Sequence, residues 1–392
     1  MFWNSIVRCL RYSASIRGSK SILDARRFGA YLRLALCNEN TQLMLQTSDK
    51  IGVSNIIKIG GGLANHTHSF QLTYIERGEE RRVPLIIKTY IKNPYFECSN
   101  IDRCAREWQI LKSLEHSGFT VPKPYLCELD YRLIGNPFIV MAKIEKSQKK
   151  ILDNLNWFAA SLAQLHNVNI DGLEPGPLKP PKDGYSFAKY WPAYFKDILK
   201  VQTKHSKRLE RYFNFAIQWL DSNASNNYCK QYSLVHGDVN LTNSIINTDS
   251  QVVFIDWENA YIGDPAFDVA HAYCYIKFYC NSKDPDSAEQ LAELFLSEYL
   301  AHAKEDVRSR LKFYQVVILL GQSIVYSSGL SSPTKAYELH RFKVLKTLPF
   351  LRLPLILFVF PFLRWSFFAR RIQAEAEIDW LRYFEKFMDS LS

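Results

Sequence analysis

Three oxygen-bearing side chains in the middle of the chain are of the types that phosphoryl transfer requires. Asp238 and Asn243 are five residues apart, and Asp256 follows the apolar run 252–255. In kinases an Asp orients the acceptor hydroxyl, an Asn five residues later holds magnesium, and a second Asp holds the metal that bridges the nucleotide phosphates. The residue types and their order therefore predict one candidate base and two candidate magnesium ligands.

A predicted hairpin brings these side chains together. The apolar runs 244–247 and 252–255 predict two short strands, and the turn-forming residues 247–250 predict the connection between them. A hairpin of this kind returns Asp256 to the side of Asn243. The alternative interpretation is a solvated turn rich in Asp and Asn, and the apolar runs argue against it.

Three short motifs occur in the segment 235–270. They read His236-Gly-Asp238 with Asn243, then Ile255-Asp-Trp-Glu258, then Gly263-Asp-Pro-Ala-Phe-Asp268-Val-Ala270. With these motifs the segment resembles the aminoglycoside phosphotransferase and choline kinase-like family. Asn240 stands where many members have His, and we expect altered loop packing there rather than loss of activity.

The resemblance implies an α+β chain with the two-lobed protein-kinase-like fold. A small N-lobe would be built on an antiparallel sheet, and a larger C-lobe would be mostly helical. ATP or GTP would be the co-substrate, magnesium the cofactor, and a small-molecule hydroxyl the acceptor. Asp238 would be the catalytic base, with Asn243 and Asp256 as metal ligands. His236 and Asp268 would support the site structurally, Asp268 from a buried helix start.

Residues 52–92 predict the sheet of the N-lobe, as strand, glycine loop, strand, charged turn and strand. Glycine lets backbone N–H groups approach phosphate closely. Gly61, Gly62 and Asn65 match a G-G-x-x-N pattern of the family. We therefore predict that these three residues bind nucleotide.

An ion pair is predicted beside the nucleotide phosphates. Lys88 ends the last apolar strand of the sheet, where its ammonium would meet the phosphates. Glu107, in a predicted helix over 104–114, is the partner that the kinase arrangement requires. The alternatives are a strand-end Lys that reaches solvent and a Glu on the helix surface.

The predicted domains are a basic helical extension over 1–45, a nucleotide-binding N-lobe over 46–144 and a C-lobe over 145–392 with the catalytic loop and acceptor site. The family places the hinge between the lobes at the end of the strand near residue 144. Met141 and Lys143 are therefore predicted to contact adenine through backbone atoms.

The identity of the acceptor stays open. A cationic acceptor needs acids or an aromatic cage, and Glu258, Trp191 and Tyr261 are the candidates. One alternative is a kinase that phosphorylates a lipid-linked alcohol at a membrane surface. The other is a non-catalytic nucleotide-binding regulatory module, which is disfavoured because the Lys, the base and both metal ligands are present.

Positive charge is concentrated near both ends of a chain whose net charge is +10. Residues 1–36 hold seven Lys and Arg against one Asp, a net +6, and residues 339–374 hold seven with no acid, a net +7. Peripheral contact of these segments with an anionic membrane is one interpretation. For the N-terminal segment, a transit peptide is another, and an ordered helix on the N-lobe is favoured.

The sequence argues against several classes of protein. No nucleic-acid-binding motif accompanies the basic segments, and the eight cysteines contain no C-x-x-C pair that would indicate a zinc site. Arg352 interrupts the apolar run 348–363, and the stretch after it contains Pro354 and Pro361. The run is therefore too short for a membrane-spanning helix, and it is either core or interfacial. We expect a cytoplasmic protein, with peripheral membrane association or organellar targeting as alternatives.

Overall fold

The computed structural model describes most of the chain. The described residues are Phe28, Tyr31, Leu32 and the segments 51–61, 65–76, 78–91, 99–130, 134–172, 183–201, 206–281, 285–330 and 378–391. The basic segment 339–374 and the apolar run 348–363 therefore lie outside the described residues, as does nearly all of the predicted N-terminal extension.

The chain forms two compact units, each built from two stretches of sequence. The first comprises Met1–Lys179 and His236–Ile262, and the second comprises Pro180–Val235 and Gly263–Ser392. The residues predicted to carry the chemistry, from Asp238 to Asp256, belong to the first unit.

The first unit contains the predicted antiparallel sheet, which has five strands in the order β1-β2-β3-β5-β4. The strands are β1 (Gly52–Gly61), β2 (Asn65–Glu76), β3 (Glu79–Tyr90), β4 (Pro124–Glu128) and β5 (Phe138–Ala142). Strand β3 is exposed over its charged first half and buried from Leu85 to Tyr90. The three predicted strands and the charged turn between β2 and β3 are confirmed, whereas Gly61 ends β1 and residues 62–64 lie outside the described residues.

Helix α1 (Asn100–His116) follows the sheet. Ser99 caps its N-terminus, because its Oγ accepts a hydrogen bond from Asp102 N at 3.1 Å. Its buried face carries Ile110, Leu111 and Leu114, together with two charged residues. Charges are almost never fully buried without partners, so this face must meet opposite charges as well as apolar side chains.

Three described residues of the N-terminal region, Phe28, Tyr31 and Leu32, are helical and pack on the sheet. Phe28 contacts Phe70 edge to face with the ring centroids 5.1 Å apart. Tyr31 donates a hydrogen bond from its hydroxyl to Glu128 Oε2 at 2.7 Å. These residues therefore contribute to the core of the sheet.

The predicted hairpin is present as β7 (Ser244–Ile246) and β8 (Val252–Phe254), which pair antiparallel. Strand β6 (Ser233–Val235) precedes it, and β9 (Tyr261–Gly263) follows a short 3-10 helix at Trp257–Asn259. Helix α2 (Leu155–His166) packs on this hairpin, because Phe158 contacts Phe254 with the ring centroids 5.9 Å apart.

The second unit is mostly helical, as predicted. Its helices are α3 (Gly184–Val201), α4 (Lys207–Asn223), α5 (Ala266–Asn281), α6 (Pro285–His302), α7 (Arg308–Leu330) and α8, which spans 378–389. A buried ion pair of Arg310 with Asp264 joins the start of α7 to the segment that precedes α5. Among the described helices, none combines the length and the apolar character needed to cross a membrane.

Candidate active site

Lys88 contacts two carboxylates at the buried end of β3. Its Nζ lies 2.5 Å from Glu107 Oε2 and also donates to Asp256 Oδ1. Lys88 and Glu107 are 5% and 1% exposed, so neither is the solvent-facing residue of the alternative interpretation. Burial alone would lower the pKa of Lys88, but Asp256 and Glu107 outweigh it and raise the pKa, which keeps the ammonium charged.

The pKa values of Glu107 and Asp256, the two carboxyl groups that contact Lys88, are shifted in opposite directions. Burial raises the pKa of Glu107 despite the nearby charge of Lys88, and Tyr90 donates to the same carboxylate at 2.7 Å. Burial would also raise the pKa of Asp256, but Lys88 outweighs it and lowers the pKa. Asp256 is therefore the carboxylate that stays ionised most readily.

Asp256 has a left-handed backbone conformation, with φ 72° and ψ 59°. This conformation is costly for a residue other than glycine and persists only where neighbouring contacts hold it. Ile255 N donates to Asn243 O at 3.0 Å, and His236 Nε2 donates to Ile255 O at 3.0 Å. These contacts bind the end of β8 to the loop that carries Asp238.

The loop holds the Asp238 carboxylate from two sides. Asn243 Nδ2 donates to Asp238 Oδ2 at 2.8 Å, and Asn240 Nδ2 donates to Asp238 Oδ1 at 3.0 Å. Burial raises the pKa of Asp238 to about 8, with a further contribution from the negative charge of Asp256. A carboxyl group with such a pKa can accept a proton near neutral pH.

Asn240 organises the loop around this carboxylate. Besides donating to Asp238, it accepts hydrogen bonds at its Oδ1 from Thr242 N at 2.9 Å and Asn243 N at 3.1 Å. The Asn240 amide thus donates to the Asp238 carboxylate and accepts from two backbone N–H groups of the loop. This is how the loop packs where the family pattern has His.

The oxygen ligands present at the site suit magnesium. Asn243 uses its amide nitrogen to bind Asp238, so its carbonyl oxygen is the atom available for a cation. Asp256 supplies an ionised carboxylate whose side chain is 31% exposed. Carboxylate and amide oxygens are the hard ligands that magnesium prefers. Oxygens of Glu107 and Glu258 also lie within 4.8 Å of Asp256.

Glu258 is engaged by two side chains that precede it in the sequence. Arg103 Nη1 donates to Glu258 Oε2 at 3.0 Å, and Asn65 Nδ2 donates to Glu258 Oε1 at 3.4 Å. Burial raises the pKa of Glu258 to about 7, against the lowering effects of Lys88 and Arg103. The acceptor role predicted for Glu258 stays a prediction, and both of its carboxylate oxygens have partners.

Sequence reasoning missed Arg103. Its signal was present in the sequence: an arginine four residues before Glu107 lies on the same helical face, among residues that are otherwise apolar. A charge at such a position indicates a buried partner, but the sequence does not say which acid is the partner.

Four other residues were predicted to contact the nucleotide: Gly61, Gly62, Met141 and Lys143. Gly61 ends β1, and Gly62 lies outside the described residues. Met141 is buried in β5, and Lys143 N donates to Pro84 O at 3.2 Å, so an adenine would compete for that donor.

Three further predicted residues belong to the segments around the hairpin and to the second unit. Tyr261 begins β9, and Asp268 is fully buried in the first turn of α5. Trp191 lies in α3, where its ring stacks on Phe267 with the centroids 5.2 Å apart. Their predicted roles stay predictions.

The chain is similar in sequence to a family of phosphotransferases and to several curated proteins. The model of the phosphotransferase enzyme family matches residues 72–313. The curated relatives include human acyl-CoA dehydrogenase family member 11, which is 31% identical over 186 residues, covering 42% of this chain. The mouse acyl-CoA dehydrogenase family member 10 is 28% identical over 197 residues, covering 46% of this chain. The chain spans only 22% and 17% of these two relatives, about a fifth of their length.

Solved structures share the fold. Ethanolamine kinase from Plasmodium vivax superposes with a TM-score of 0.55 at 15% identity, covering 89% of this chain and 96% of that chain. A thermostable mutant of aminoglycoside phosphotransferase APH(4)-Ia, in ternary complex with ADP and hygromycin B, superposes with a TM-score of 0.51 at 15% identity, covering 73% and 91%. Together with the family match and the Lys88–Glu107 arrangement, these comparisons show that the chain belongs to the phosphotransferase enzyme family and has a protein-kinase-like fold.

Proposed function

We propose that this chain transfers the γ-phosphoryl group of ATP or GTP to a hydroxyl of a small molecule. The observation that carries the proposal is the contact of Lys88 with both Glu107 and Asp256 in the first unit. This arrangement unites a phosphate-binding ammonium with a metal-binding carboxylate, as phosphoryl transfer requires. The family match supports the reaction class.

Asp238 is the proposed base. Its carboxylate is oriented by Asn240 and Asn243, and its raised pKa lets it accept the proton of an acceptor hydroxyl. Asn243 and Asp256 would hold magnesium, which neutralises negative charge on the nucleotide phosphates when bound. Lys88 would bind those phosphates as well, and Glu107 keeps its ammonium in place.

The proposed acceptor class is a small alcohol. The solved structures that share the fold include an ethanolamine kinase and an aminoglycoside phosphotransferase in complex with hygromycin B, and both names indicate small-molecule acceptors. Trp191 and Tyr261 remain candidates to contact the acceptor. Glu258 is a weaker candidate, since Arg103 and Asn65 already bind its carboxylate.

The test is nucleotide consumption by the purified chain with magnesium and a panel of acceptors. The panel contains aminoglycosides, choline, ethanolamine, sugars and lipid-linked alcohols, with ATP and GTP run separately. The control is Asp238→Asn, which keeps the shape of the side chain and removes the base. Acceptor-stimulated turnover that the control lacks supports the proposal. Equal turnover by both proteins, or nucleotide binding without any stimulation, would contradict it.

A further inference from the structure

A second buried ion pair joins α1 to the segment that follows Asp256. Arg103 and Glu258 are 1% and 3% exposed, and their charged groups meet at 3.0 Å. Compared with well-packed apolar residues, a buried pair adds little net stability, because both ions lose their hydration. We therefore expect this ion pair to contribute mainly by fixing the positions of the segments that it joins.

Further hydrogen bonds fix each partner of this pair. Arg103 Nη2 donates to Ile91 O at 2.6 Å, just after the end of β3. Asn65 Nδ2, at the start of β2, reaches Glu258 Oε1 at 3.4 Å, and Arg106 Nη1 reaches Glu258 O at 3.4 Å. The Glu258 carboxylate thus contacts both the sheet and α1.

The two ion pairs of α1 form a closed ring of contacts. Glu107 follows Arg103 by one helical turn, so both side chains leave the same face. Glu107 binds Lys88, Lys88 binds Asp256, and Asp256 lies two residues before Glu258, which returns to Arg103. A displacement of α1 would therefore disturb Lys88 and the Asp256 segment together.

We propose that Arg103 is a positioning residue that acts through Glu258 to hold Asp256 and Lys88 in the geometry that binds magnesium nucleotide. The inference rests on the proposed function. Asp256 needs such support, because its left-handed backbone is unfavourable by itself. Lys88 contacts the Asp256 side chain, and Asn243 and His236 hold the backbone of the residue before it. The ion pair of Glu258 with Arg103 holds the segment on the other side of Asp256.

The test separates positioning from stability with three variants. Arg103→Met and Glu258→Gln each leave a buried charge without its partner, so the melting temperature should fall in both. The double variant removes both charges at similar volume, so its melting temperature should recover most of the loss. The Kd for magnesium nucleotide should not recover, because the short hydrogen bond from α1 to the Glu258 side chain is lost and only the longer contact of Arg106 with Glu258 O remains.

Calorimetry supplies a readout besides activity. In the double variant the Kd for magnesium ATP should rise by about 10- to 100-fold, as for other residues that orient a metal ligand. The Kd for ATP with EDTA should rise less. Arg82→Met, which removes an exposed arginine–glutamate pair from β3, should leave the Kd and the melting temperature unchanged.

Two results would overturn the inference. The first is a double variant that regains both the melting temperature and the Kd of the wild type. If that variant does not fold, Arg103→Lys replaces it, because lysine keeps the charge but cannot reach Glu258 and Ile91 with a planar fork. The second overturning result is an Arg103→Lys protein that is less stable than the wild type but binds magnesium ATP with the wild-type Kd. A wild-type chain that binds no magnesium nucleotide would instead contradict the proposed function.

Discussion

At the scale of single residues, the site depends on what burial does to each charge. Asp238 and Asp256 are both carboxylates of the first unit, yet burial raises the pKa of Asp238 to about 8 while Lys88 lowers that of Asp256. Groups whose pKa values are driven apart suit different tasks. Asp238, with its raised pKa, suits proton transfer, and Asp256, which stays ionised, suits binding of a cation.

Asp238→Asn should reduce acceptor-stimulated turnover by about 10²- to 10⁴-fold, the usual contribution of a general base. The Kd for magnesium nucleotide should change little, because the amide preserves the shape of the side chain. Single-turnover kinetics together with calorimetry check both parts. A large loss of nucleotide affinity would mean that Asp238 acts on the nucleotide rather than on the acceptor.

The same substitution should stabilise the metal-free protein at high pH. Because the pKa of Asp238 is raised in the folded state, its contribution to stability is present at low pH and is lost as pH rises from about 4 to about 8. Asn does not titrate. In EDTA, the difference in melting temperature in favour of Asp238→Asn should therefore grow between pH 5 and pH 9, and a difference that is constant across this range would contradict the assignment.

At the scale of elements, the loop before the hairpin depends on one glycine. Gly237 has a φ of +82°, and a Cβ there would lie 2.3 Å from Asn259 O. The close approach of the two backbone segments sets Asp238 beside the segment that carries Asp256. Helix α1 has a comparable role, since one face supplies Glu107 and Arg103 to the site.

Gly237→Ala should therefore abolish turnover and lower stability well beyond the strain of its backbone. Gly78→Ala is a matched control, because Gly78 also has a φ of +82° but has open space where a Cβ would stand. The control should lose about 1–2 kcal/mol from backbone strain and keep its activity. Thermal unfolding and acceptor-stimulated turnover distinguish the two variants, and equal losses in both would show that the contact with Asn259 is unimportant.

At the scale of the whole molecule, the proposed chemistry is concentrated in the first of the two units. Lys88, Glu107, Asp238, Asn243 and Asp256 all belong to it, although the sequence separates the first and last of them by more than a hundred residues. The segment His236–Ile262 is therefore part of the unit that contains the sheet. The second unit has its own buried ion pair and helical core.

Saturating magnesium ATP should raise the stability of the unit that binds it. At a nucleotide concentration 100-fold above Kd, the gain is about 2.7 kcal/mol. Hydrogen exchange read segment by segment should show the increase in protection over 65–90 and 236–262, with little change over 285–330. Protection that rises first or only in the helices of the second unit would contradict the assigned site.

The local sequence determined the main elements of this protein and indicated the residues that we propose for the chemistry. The hairpin from Asn243 to Asp256 was predictable because its spacing is local, and apolar periodicity indicated the helix that carries Glu107. The tertiary structure decided which charges meet. Arg103 pairs with Glu258, which lies 155 residues later in the sequence. The sequence does not distinguish that acid from others, because ion pairing depends on distance and burial in the folded chain.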